Sequence, residues 1–95
     1  AQYWLAESLF SQATAPGAPN TLYVDAANAY LTAYRSSPQG DKAPDALFKL
    51  GMSLVALGQV QDGCTTYGQV LTTYPNVSNA LRERVATEQR NARCG

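Results

Sequence analysis

The chain contains the same pattern twice. Ala1-Gln-Tyr-Trp-Leu-Ala-Glu-Ser-Leu-Phe10 aligns with Ala46-Leu-Phe-Lys-Leu-Gly-Met-Ser-Leu-Val55. Val24-Asp-Ala-Ala-Asn-Ala-Tyr30, followed by Pro38, aligns with Gln61-Asp-Gly-Cys-Thr-Thr-Tyr67, followed by Pro75. Each unit reads as two helical segments closed by proline. Self-similarity on this scale points to a helical solenoid, in which each hairpin buries its apolar face against its neighbours. Such folds present extended surfaces, so the function to expect is holding a partner.

A chain of 95 residues makes one domain, and 45% apolar residues allow a modest core. Seven basic residues balance seven acidic ones, which gives no signal for nucleic acid or an anionic membrane. No apolar run is long enough to span a bilayer, so membrane insertion is not expected. The sequence has no initiator Met and opens inside a helical pattern, with Tyr3, Trp4 and Leu5 in register. It therefore reads as a piece of a longer protein.

Five helices are expected. The first covers about Ala1 to Gln12 and ends before the proline- and glycine-rich Thr14–Asn20 stretch. Asn20 or Thr21 is placed to cap the second, which runs to about Ser36 with Tyr23, Ala27, Tyr30 and Tyr34 on one face. Pro44 and Asp45 suit the first turn of the third, whose Leu47, Leu50, Leu54 and Leu57 form a stripe ending at Gly58. The fourth spans about Val60 to Tyr74, with Val60, Cys64, Tyr67, Leu71 and Tyr74 in helical spacing. Ser78 is a plausible cap for a polar last helix to Arg93, with Leu81, Val85 and Ala92 as a thin apolar stripe. The domain thus divides into a first repeat over about 1–38, a second over about 39–75 and a capping helix over about 78–94.

Cys64 and Cys94 allow two readings. They are two free thiols, one of them a small buried apolar residue, or they form a disulfide in an oxidising compartment. Antiparallel last helices would bring the two together. No Cys-x-x-Cys occurs, so neither zinc nor redox chemistry is indicated, and no metal or other cofactor is expected.

The unit resembles the tetratricopeptide repeat. Leu47, Leu50, Gly51, Leu54, Gly58, Gly63, Tyr67, Val70 and Pro75 carry the resemblance in the second repeat. Leu5, Ala6, Leu9, Ala26, Tyr30, Ala33 and Pro38 carry it in the first. Trp4 does not occupy the usual aromatic position, which falls on Gln2 and Leu47, and the first hairpin has extra residues near Thr14–Asn20. The fold implied is all-α, two hairpins plus a closing helix in a right-handed superhelix.

A narrower resemblance lies in Tyr3-Trp-Leu-Ala-Glu and in Gly40-Asp-Lys-Ala-Pro-Asp-Ala-Leu-Phe-Lys-Leu-Gly51, which look like the C-terminal repeat domain of the YbgF/CpoB family. That resemblance implies a periplasmic adaptor of the Gram-negative envelope. It would coordinate the Tol–Pal system, through TolA, with the cell-wall synthase complex during outer-membrane constriction. It also implies a missing N-terminal coiled coil through which the full-length protein forms a homo-oligomer. Two alternatives stay open: a BamD-like repeat subunit of an outer-membrane assembly complex, and an oligomerising envelope scaffold.

In tetratricopeptide solenoids the first helix of each pair lines the concave face. By register that face holds Tyr3, Trp4, Glu7 and Phe10, then Asp45, Phe48, Lys49 and Met52, and Arg82 from the last helix. A groove of aromatic and Met side chains with a few charges suits a partner's helix or extended peptide. The alternative for Tyr3 and Trp4 is packing against a preceding repeat, and for Phe48 and Met52 ordinary core. Catalysis is not expected: the sequence has no His, no phosphate loop and no paired carboxylates.

Overall fold

The computed structural model describes residues 2–94; the first residue of the expected opening helix, Ala1, lies outside them. Five helices follow one another: α1 (Gln2–Ala13), α2 (Thr21–Ser36), α3 (Ala43–Ala56), α4 (Val60–Thr73) and α5 (Asn79–Asn91). Among the described residues there is no strand. α1 packs on α2 and α3 on α4 as hairpins, α2 joins the hairpins by packing on α3, and α5 lies more lightly on α4 and α3.

The helix ends have identifiable causes. Gly58 adopts φ +88. Its N–H donates to Val55 O at 3.0 Å, and the Gln59 N–H donates to Leu54 O at 2.9 Å. This pairing satisfies the last carbonyls of α3, and the left-handed residue between them costs glycine nothing. The same bonds close α5, from Arg93 to Arg90 O at 3.1 Å and from Cys94 to Gln89 O at 2.9 Å. There the left-handed position belongs to Arg93, at φ 58. Ser78 caps α5, its hydroxyl accepting from the Leu81 N–H at 3.2 Å. Asn20 does not act as expected. It is itself helical and makes no side-chain cap bond. Instead its carbonyl accepts from the Tyr23 N–H at 3.0 Å, so the turn after Pro19 winds directly into α2.

Small residues set the helix crossings. Ala6 and Ala26 are completely buried in the first hairpin. In the second, Gly51 and Gly63 bring the two backbones together. A Cβ on Gly51 would lie 2.7 Å from the Tyr67 ring, and one on Gly63 would lie 2.9 Å from Gly51 O. Around these contacts, Tyr30, Phe48, Tyr67, Val70 and Val85 are fully buried. Because α2 is covered on two sides, its buried stripe is wider than a single spacing suggests and takes in Ala26, Ala27, Ala29 and Tyr30. On α4 the buried residues are Gly63, Thr66, Tyr67 and Val70, whereas Val60 is exposed.

Cys64 and Cys94 form a disulfide with their Cα atoms 5.4 Å apart. It ties the end of α5 to the start of α4, which is the antiparallel arrangement the pairing requires. No helix of the described residues is long and apolar enough to cross a membrane.

Candidate functional site

The feature that organises the surface is an ion pair between the first helices of the two hairpins. Lys49 Nζ on α3 donates to both carboxylate oxygens of Glu7 on α1, at 2.7 Å each. The buried Tyr30 hydroxyl on α2 donates to Glu7 Oε1 as well. Three helices are thereby fixed to one carboxylate. Burial acts to raise the Glu7 carboxyl, but the hydrogen bonds from Lys49 and Tyr30 and the charges of Lys49 and Arg84 outweigh it and hold it below its ordinary value. The Glu7 and Lys49 side chains are only 28% and 18% exposed, so the pair is less screened than a surface ion pair. Burial, reinforced by the Glu7 hydrogen bond and charge, pushes the Tyr30 hydroxyl well above its ordinary value.

Beside this bridge stands an aromatic cluster. Tyr3 meets Trp4 edge-on at 5.1 Å and Tyr30 at 6.2 Å between ring centroids. Lys42 Nζ sits 5.6 Å from the Tyr3 ring centre and 5.4 Å from that of Trp4, and Lys49 Nζ lies 5.9 Å from Tyr3. Cations at these distances are attracted to the ring faces and hold them in place. Burial first, then the charges of Glu7 and Asp45, pushes the Tyr3 hydroxyl up to about 12. Trp4 nevertheless remains 61% exposed and Leu5 52%. An indole so accessible, on a helix fixed by an ion pair, is a rigid apolar contact presented to solvent.

The residues expected on this face divide into three groups. Tyr3, Trp4, Glu7 and Lys49 come together as one cluster, and half-buried Asp45 is near enough for its charge to act on Tyr3. Phe10 and Met52 lie at the core's edge, with Phe10 packed edge-on against Tyr23 and Tyr30 at 5.7 and 6.2 Å. Phe48 and Arg82 form the third group, and Phe48 is a correction. Phe48 has no exposed surface. Tyr67 lies 5.7 Å from its ring and the Arg84 guanidinium 5.1 Å, so α4 and α5 cover the Phe48 side of α3. Arg82 turns back to donate to Pro75 O at 2.6 Å and secures the entry to α5.

Three contributors escaped the sequence reading: Lys42, Tyr30 and Arg84. Lys42 had a usable signal, since it stands seven residues before Lys49 and two helical turns bring both to one side. Tyr30 falls on the core stripe of α2, and its ring belongs there. Nothing local marked its hydroxyl for Glu7. Arg84 was one of several charges on a polar helix.

Residues 45–76 match the family model for the tetratricopeptide repeat. No curated protein and no solved structure matches the chain. The match supports a tetratricopeptide repeat domain, and the five helices fit an all-α helical-repeat fold of that kind. Repeats of this type are in general non-catalytic modules for protein–protein interaction.

Proposed function

We propose that this tetratricopeptide repeat domain is a periplasmic protein-binding adaptor of the YbgF/CpoB kind, coordinating the Tol–Pal system and cell-wall synthesis with outer-membrane constriction. The observation that carries the binding role is Trp4, exposed beside Tyr3 on a surface that the Glu7–Lys49–Tyr30 bridge makes rigid. Binding to a preorganised aromatic surface loses little side-chain freedom. The envelope assignment is supported by the Lys42–Gly51 sequence run and by the Cys64–Cys94 disulfide, a bond that persists in oxidising compartments.

On this reading the partner is a helical periplasmic segment such as that of TolA, with the cell-wall synthase complex as the second client. The full-length protein is a homo-oligomer through a coiled coil outside this sequence. The test is a fluorescence titration of Trp4 with the purified TolA periplasmic helical region. A saturable change that is lost in Met52→Asp, with helix content intact, supports the adaptor. No change with folded protein rejects TolA as the partner.

A further inference from the structure

The two hairpins differ at one place where the fold makes them comparable. Three residues beyond Tyr67, the second repeat has Val70, which is fully buried. Three residues beyond Tyr30, the first repeat has Ala33. Two residues beyond Pro75 stands Val77, packed against the core, and two residues beyond Pro38 stands Gly40. The first repeat therefore lacks two apolar side chains that the second one has. An open cavity of about 390 Å³ lies there, lined by Tyr3, Ala33, Ser37, Gly40, Asp41 and Lys42 among others. Its size falls within the roughly 300–1,000 Å³ of small-ligand sites.

The chemistry of the rim narrows the occupant. The walls are largely apolar, formed by the Tyr3 ring and Ala33. Lys42 stands at the mouth, its ammonium held over the Tyr3 and Trp4 rings, and among the described residues it makes no ion pair. Asp41 also lines the cavity and offers an acceptor for a main-chain N–H. We propose that this cavity is an anchor pocket for an apolar side chain of a partner peptide, with a carboxylate of the adjacent residue resting on Lys42. The inference rests on the protein-binding reading above and adds to it the kind of segment received: apolar and acidic residues side by side.

The test uses Trp4 emission and three acetylated, amidated peptides that alternate leucine with glutamate, glutamine or lysine. The leucine–glutamate peptide should give a saturable change and the glutamine counterpart a weaker one. Ala33→Val, which gives the first repeat the side chain of Val70, should narrow the pocket beside the Tyr3 ring and weaken binding about tenfold while the melting temperature holds or rises. Lys42→Glu should transfer the preference to the leucine–lysine peptide. Failure of the leucine–glutamate peptide to titrate, or equal binding by Ala33→Val, overturns the pocket. The adaptor reading is judged separately by the TolA titration with Met52→Asp.

Discussion

Gly63→Ala is expected to destabilise the protein, although alanine is the better helix former. The gain in helix propensity is roughly 1 kcal/mol. Against it, the new Cβ would lie 2.9 Å from Gly51 O and 3.3 Å from Val55 N, and closer still to Val55 Cγ2. Two of these atoms are backbone of the facing helix and cannot rotate away. α3 and α4 would have to separate, loosening the buried Tyr67 and Val70. Overpacking a tight contact costs about 1–3 kcal/mol, and here it involves backbone, so the upper part of that range applies. The net loss is about 1–2 kcal/mol. For a domain of this size that lowers the melting temperature by roughly 4–8 °C per kcal/mol. The control lies on the same helix: a Cβ on Gly68 would meet nothing within 4 Å. Gly68→Ala should therefore stabilise by up to about 1 kcal/mol. Urea and thermal unfolding followed by far-ultraviolet circular dichroism measure both. If Gly63→Ala were as stable as the parent, or if both variants lost the same amount, close approach of the helices would not be the reason for Gly63.

Reducing Cys64–Cys94 should add about two daltons, one hydrogen on each sulfur, and cost about 3.7 kcal/mol of chain entropy for a bond spanning 30 positions; an unchanged urea midpoint after confirmed reduction would contradict this. Arg93→Gly should stabilise by about 1 kcal/mol, because it relieves a left-handed residue at φ 58 without removing the α5 terminal bonds. Ser78→Ala should cost about 1 kcal/mol by leaving the Leu81 N–H without its cap, read as faster amide exchange at the start of α5. Alkaline conditions should destabilise. Burial, then the Glu88 charge, pushes the Tyr67 hydroxyl up to about 12, so its contribution is complete below about pH 10 and falls by up to about 2.7 kcal/mol as pH rises to about 12. Glu7 has the opposite sign: its contribution is present at neutral pH and is lost as acid protonates it, so urea midpoints measured against pH should fall at both ends.

What the sequence determined by itself is local. Pro44, Gly58 and Ser78 act within one turn of their own positions, so their placement set the boundaries of α3 and α5 without reference to the rest of the chain. The crossing residues were also legible, because the repeat places Gly51 and Gly63 where two helices must meet. Periodicity identified which residues share a face, and the register set Phe48 and Met52 together on one side of α3. It could not say whether that face is open. Tertiary structure decided this by laying α4 and α5 over Phe48, while Trp4 on α1 stayed exposed. Asn20 failed as a cap because the Pro19 turn had already made it helical. Arg82 and Arg84 differ by two positions on one helix, which turns them to different sides, and only the seating of α5 determines which one reaches Phe48. The Glu7–Lys49–Tyr30 bridge joins residues 42 and 23 positions apart, and the cavity beside Tyr3 is walled by residues of α1, α2, α3 and the loop that joins α2 to α3. Helical spacing fixes directions around one axis; contacts between groups on different helices require the axes themselves to be placed, and that is done by packing over the whole chain.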